Sequence, residues 1–288
     1  MKQLIKNILA KIDYFLYQVG IKKCNIKVHT IDETIEELIR TNKSMVRFGD
    51  GEITMIGGRS LQLQQMRPDI AEGLKRILGY EYDELIVTIP EIFEELSMHN
   101  KNSKQFWKEH LLFYRRIYEA SCNPIKQYYS TFVSRFYYFL DDKSPSTQWA
   151  SNIKKIWKDK DIVIVEGQKT HNGVGNDLFD TARSVVRIIG PASNAYDKLE
   201  EIFLCCKQYP KDRLFLLSLG VAAKFLAEKL FLSGYRVLDI GNLDLEYEWY
   251  LHKEKKKTAL FKHSVVGVEA NRKAGYQEYL EQIKKEVY

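Results

Sequence analysis

Ser44-Met45-Val46-Arg47-Phe48-Gly49-Asp50-Gly51-Glu52 decides the fold. A short apolar run, Ser44 to Phe48, passes without a linker into a glycine-flanked pair of acids. Such a run reads as a buried strand. Similar runs occur at Glu84 to Ile89, Asp161 to Val165, Ser184 to Ile189, Leu214 to Leu219 and Arg236 to Ile240. Helical patterns lie between them at about Ile31 to Thr41, Pro68 to Leu78, Lys104 to Ala120, Ala195 to Lys207 and Val221 to Leu232. The alternation predicts an α/β domain with a mostly parallel sheet and helices on both faces. Ligands of such sheets sit beyond the carboxyl ends of the strands. There the chain carries Gly49 to Glu52, then Glu166, Gly167, Gly173, Gly175, Asn176 and Asp177, then Gly220, then Gly241, Asn242 and Asp244.

Composition agrees with a globular chain: 288 residues, 45% hydrophobic and 28% charged. The net charge of +6, from 44 Lys and Arg against 38 acids, is too small to call for nucleic acid. Cys24, Cys122, Cys205 and Cys206 form no CxxC pair, which predicts a reducing, cytoplasmic setting. Residues 1–25 form an N-terminal segment in which Leu4, Ile5, Ile8, Leu9, Ile12, Phe15 and Leu16 recur at helical spacing among Lys2, Lys6 and Lys11. An amphipathic basic helix of this kind packs on its own domain, joins a second subunit, or lies on an anionic membrane surface, here the inner face. Lys11 and Asp13 interrupt the apolar residues, so neither a signal sequence nor a membrane span is expected. Residues 26–252 read as the main domain. Residues 253–288 read as a basic loop, with Lys253, Lys255, Lys256 and Lys257, and a C-terminal helix. From Phe113 to Leu140 the chain is crowded with Tyr and Phe, which suggests an aromatic-rich helical insertion beside the cleft.

Three segments carry candidate chemistry. Asp50 and Glu52, if extended, point the same way and can chelate one hard cation, with Arg47 at hand for a phosphate; a polar turn is the competing reading. Spacing decides nothing here, since chance yields about five acid-x-acid pairs in such a chain. The setting at a strand end singles out the pair at Asp50. Gly173-Val174-Gly175-Asn176-Asp177 either cradles phosphate or caps a helix starting near Asp177. Asp244-Leu245-Glu246-Tyr247-Glu248-Trp249 places its acids along one face of a strand, or Asp244 and Glu248 together on a helix. Either way it offers a carboxylate to an acceptor hydroxyl or to positive charge at an anomeric carbon. The histidines show no HExxH spacing and no GxSxG elbow is present, so oxygen ligands for Mg²⁺ or Mn²⁺ are the better match.

Together these segments resemble the GT-D type glycosyltransferases, bacterial enzymes first catalogued as a domain of unknown function. Arg47 to Glu52 is similar to the family's RFGDGE block with its DXE metal motif. Ile162 to Gly167 and Gly173 to Asp180 resemble its IVEG and GVGNDLFD blocks, Ser134 to Tyr137 its SRPY, and Asp239 to Trp249 its DIGH and DIEYEW ending. The resemblance spans roughly residues 35 to 250 and departs at Phe136, His171 and Asn242. It implies a Rossmann-like sheet, a UDP-sugar donor with glucose first, and Mn²⁺ or Mg²⁺ on Asp50 and Glu52. It further implies donor contacts from Arg47, Gly49, Arg135, Glu166, Gly175, Asn176 and Asp177, with Glu248 and Asp244 as catalytic carboxylates. The acceptor would be a glycan on protein, polysaccharide or a lipid carrier. The alternative is a non-catalytic nucleotide-binding scaffold for another glycosyltransferase. A dinucleotide oxidoreductase would need a glycine fingerprint that is missing.

Overall fold

A computed structural model describes residues 2–259 and 275–288, with side chains from Asn7 onward. Its strands are β1 (Lys27–Val28), β2 (Ser44–Arg47), β3 (Leu85–Ile89), β4 (Gln127–Ser130), β5 (Asp161–Gly167), β6 (Ser184–Gly190), β7 (Leu214–Ser218), β8 (Arg236–Asp239) and β9 (Ile283–Glu286). They form one nine-stranded sheet in the order β1-β4-β3-β2-β8-β7-β5-β6-β9, every described pairing parallel. The six apolar runs are β2, β3 and β5 to β8. Every residue of β3 and β7 is buried, as expected when both faces of a parallel sheet are covered.

The helices are α1 (Lys2–Gln18), α2 (Ile31–Arg40), α3 (Asp50–Ile56), α4 (Pro68–Leu78), α5 (Lys101–Ser121), α6 (Pro145–Lys155), α7 (Leu199–Cys206), α8 (Ala222–Leu232), α9 (Leu243–Leu251) and α10 (Tyr276–Gln282). Helix α8 packs on β2 and β8, and α1 packs on α5. Among the described residues no helix is long and apolar enough to cross a membrane.

Three local expectations change. Asp50 and Glu52 are not in extended chain: Phe48 is still paired to the sheet through its N–H to Thr88 O at 2.9 Å, and α3 begins two residues later. No helix starts near Asp177; residues 168–183 run as successive turns from β5 to β6. The C-terminal segment returns to the sheet, with β9 paired to β6 beyond α10. The middle of that segment, 260–274, with His263, lies outside the described residues. The aromatic stretch Phe113 to Leu140 is divided between the end of α5, β4 and the 3-10 turn Thr131–Ser134 that follows.

Strands β2 and β8 are neighbours at the middle of the sheet although most of the chain separates them. Crossovers leave from this point in opposite directions, which opens a crevice beyond the carboxyl ends.

Candidate active site

That crevice is a cleft of about 710 Å³. Its floor is the set of strand ends: Arg47 to Glu52 after β2, Gly167 and Thr170 after β5, Ala192 and Ser193 after β6, Ser218 to Val221 after β7, and Gly241 with Asn242 after β8. One wall is aromatic, formed by Phe106 and Trp107 of α5 with Phe132, Tyr138 and Phe139. Burial behind this wall pushes His99 and His110 down to about 4, so both are neutral packing groups near pH 7.

The β2 turn separates its two acids. An α-helix turns about 100° per residue, so positions two apart face nearly opposite ways. Asp50 is exposed in the cleft and forms no ion pair among the described residues. Glu52 turns inward: its Oε2 accepts the Gly49 N–H at 2.8 Å and its Oε1 pairs with Lys224 Nζ at 2.8 Å. Lys224 Nζ also lies 3.0 Å from Asp239 Oδ2 and donates to Gly220 O at 3.2 Å. All three charged side chains are buried, tying α3, α8 and β8 together under the floor. Burial would push the Glu52 carboxyl up, but Lys224, Arg47 and the Gly49 N–H outweigh it and hold it at about 2.

Arg47 lies flat against the backbone of Gly241. A Cβ on Gly241 would come within 2.4 Å of Arg47 Nε, and its φ of +50° also favours glycine. Arg47 Nη1 reaches Thr131 Oγ1 at 3.5 Å, while the buried Nε has no hydrogen-bond acceptor among the described residues. A buried guanidinium N–H without an acceptor is costly unless a ligand supplies one.

The expected donor and catalytic residues divide into two groups. Arg47, Gly49 and Arg135 line the cleft together with Asp50 and Glu52; Glu166, Gly175, Asn176, Asp177, Asp244 and Glu248 do not. In the second group, Asn176, Asp177, Asp244 and Glu248 join the turns after β5 to α9, while Glu166 joins those turns to β6. Asn176 Nδ2 donates to Asp244 Oδ1 at 2.8 Å and Glu248 Oε1 at 2.7 Å, and Gly173 N donates to Asp244 Oδ1 at 2.8 Å. Asp177 accepts from Tyr247 at 2.7 Å and pairs with Lys154. Glu166, fully buried, accepts from Asn172 N at 2.7 Å and from Arg187 Nη1 at 2.6 Å. The remaining acid of α9, Glu246, reaches the cleft. Its Oε2 accepts the N–H groups of Tyr137 and Tyr138 at 3.1 and 2.8 Å, and its Oε1 lies 3.3 Å from Arg135 Nε.

A family model for the glycosyltransferase GT-D fold matches residues 45–267, which includes every residue lining this cleft. The chain belongs to the GT-D glycosyltransferase family. It is 42% identical over 226 residues to a probable glycosyl transferase of Streptococcus gordonii, covering 78% of this chain and 33% of that protein. It is 40% identical over 233 residues to the glycosyltransferase GlyD of Streptococcus pneumoniae serotype 4, covering 81% and 28%. The chain thus spans a third or less of the length of these curated relatives. Among solved structures it is similar to one described as a new glycosyltransferase from Streptococcus sanguinis, with a TM-score of 0.84 and 39% identity over 91% of this chain and 100% of that one. A second, described as a highly conserved domain with a distinct glycosyltransferase fold, matches with a TM-score of 0.84 and 38% identity, covering 92% and 96%.

In this GT-D chain the cation expectation can be tested on the side chains present. Mg²⁺-like ions at phosphate sites use one or two carboxylates, with phosphate oxygens and water completing the shell. Asp50 fits such a ligand, while Glu52 already pairs with Lys224 and accepts the Gly49 N–H. Among the described residues no three His, Cys, Asp or Glu side chains cluster as a closed cage. Lys224 and the aromatic Trp107 line the cleft without having been singled out from the sequence, while Glu246, one acid of the third candidate segment, lines it where Asp244 and Glu248 do not. Lys257, read as part of a solvated loop, lines the cleft with its ammonium 5.1 Å from the Tyr138 ring.

Proposed function

We propose that this GT-D chain transfers a sugar from a UDP-sugar, glucose first among the candidates, to a glycan carried on protein, polysaccharide or lipid, with Mn²⁺ or Mg²⁺ as cofactor. The observation that carries this reading is that Arg47, whose buried Nε finds no acceptor among the described residues, and the exposed Asp50 both line the sheet's central crevice. An anionic oxygen satisfies the first, and a cation shared with that anion satisfies the second. A nucleoside diphosphate brings both. The uridine and the glucose come from the family resemblance, and the names of the relatives support sugar transfer.

When bound, the cation supplies charge neutralisation for the departing diphosphate. The residues of the chain divide the rest. Arg47 binds a phosphate oxygen; Asp50 holds the cation; the Lys224 triad fixes the turn that presents both. Trp107, Tyr138 and Phe139 provide faces for a sugar or base ring. Glu246 and Arg135 form the polar patch of that wall, where a carboxylate can orient an acceptor hydroxyl. Arg47→Ala should weaken UDP binding at least tenfold by calorimetry, consistent with the loss of a charge-assisted bond worth about 1.5–3 kcal/mol. Unchanged UDP affinity would remove Arg47 from the donor site, and a well-folded wild type that binds no UDP would favour the scaffold.

A further inference from the structure

Helix α1 is docked the wrong way round for an ordinary surface helix. Its docking combines two tyrosines, Tyr14 and Tyr17, packed against the core with a polar anchor: Asp13 is buried and paired with Arg115, Arg116 and Lys22, the Tyr17 hydroxyl donates to Phe93 O at 2.6 Å, and Arg115 lies over the Tyr17 ring at 4.9 Å. The apolar face is left outside. Ile8, Ile12, Phe15 and Val19, at steps of three and four, share one side of the helix, with Leu9 beside them and Ile21 just beyond. All six are exposed, Phe15 by 60% and Ile21 by 71%. On α5, the helix beneath, Phe113 is exposed as well, two turns from the cleft residue Phe106.

Apolar patches of this kind mark interaction surfaces, and charge says which kind. Residues 1–31 contain six lysines, Lys2, Lys6, Lys11, Lys22, Lys23 and Lys27, and a single acid, Asp13, which is buried in its ion pairs. A two-fold contact between copies would bring this lysine-rich segment against itself, with no exposed acid on it to answer the charge. An anionic bilayer answers both features at once, taking the apolar face into the acyl boundary and the lysines among the headgroups.

We propose that the exposed face of α1, from Ile8 to Ile21, seats the chain peripherally on an anionic lipid bilayer. Helix α5 then links this seat to the cleft, since its first turns carry Phe106 and Trp107 into the aromatic wall while its second half holds Asp13. The inference is independent of the transfer reaction.

The test is flotation of the full chain with phosphatidylcholine vesicles, with and without phosphatidylglycerol. The wild type should float with the anionic vesicles and stay behind with neutral ones. Ile12→Glu with Phe15→Glu should lower the anionic partition at least tenfold, with an unchanged melting temperature showing that the variant is folded. Lys11→Glu with Lys23→Glu should also lower it about tenfold, since each basic residue near such a surface contributes appreciably. Equal flotation of the apolar variant overturns the proposal. So does a wild type that ignores anionic vesicles, including one that sediments as a dimer which the apolar variant dissolves.

Discussion

In Asp50-Gly51-Glu52 the first acid faces the cleft and the second is buried on Lys224. In Asp244-Leu245-Glu246-Tyr247-Glu248 the outer two are drawn onto Asn176 and the middle one reaches the cleft. Both segments alternate acids after a strand, and both are the first turns of helices, α3 and α9. Helical geometry sends alternate positions to opposite sides and brings positions four apart together. Asp244 and Glu248 can therefore share one amide, while Asp50 and Glu52, two apart on α3, meet different surroundings. Of these five acids only Asp50 is exposed; Glu52 and Glu246 border the cleft with their oxygens already bonded, and Asp244 and Glu248 are held by Asn176.

The largest effect expected from this division is at Lys224. Removing it with Lys224→Met leaves Glu52 and Asp239 buried without their countercharge, and should cost about 3–5 kcal/mol in denaturant unfolding. A loss within experimental error would mean that the two acids have another way to be satisfied.

Acid should find the same weakness. The Glu52 carboxyl is held at about 2 against an ordinary 4.5, so it binds protons less readily folded than unfolded. Its contribution is complete above pH 4.5 and is lost as the pH falls towards 2. Glu52→Gln should flatten the stability profile across that window; an unaltered acid limb would assign acid unfolding to other carboxylates.

A smaller cost is expected on the other side of the comparison. Asn176→Ala breaks the bonds to Asp244 and Glu248 and should destabilise the chain by about 1–3 kcal/mol. Its UDP affinity should stay within about twofold, since a surface or frame change away from the ligand leaves its contacts in place. A collapse of UDP binding with unchanged stability would return this loop to the donor site.

The six central strands were legible because each is a short run dominated by aliphatic residues and flanked by glycine or charge. Strands β1, β4 and β9 were not: two residues, a polar Gln-Tyr-Tyr-Ser and a charged Ile-Lys-Lys-Glu draw their stability from pairing to a neighbour rather than from their own burial pattern. Helix α3 was hidden because Gly49-Asp50-Gly51 carries the residues of a turn. In the cleft, Arg47, Gly49, Asp50, Glu52 and Arg135 were legible from strand ends and family resemblance. The hydrogen bonds joining Asn176 to Asp244 and Glu248 were not, because a loop's hydrogen bonds depend on which helix lies against it. Lys224 did leave a signal. A lysine in the apolar sequence Ala222-Ala223-Lys224-Phe225-Leu226 and an aspartate closing the buried strand at Asp239 are charges that interiors hold only as partners.

The most direct measurement is calorimetric titration of UDP into wild type and Asp50→Ala, each with and without Mn²⁺. Asp50 is exposed and outside the buried triad, so the variant should keep its stability within about 0.5 kcal/mol. The account predicts that Mn²⁺ strengthens UDP binding to the wild type at least tenfold and leaves binding to the variant unchanged. Equal enhancement by Mn²⁺ in both proteins would contradict it.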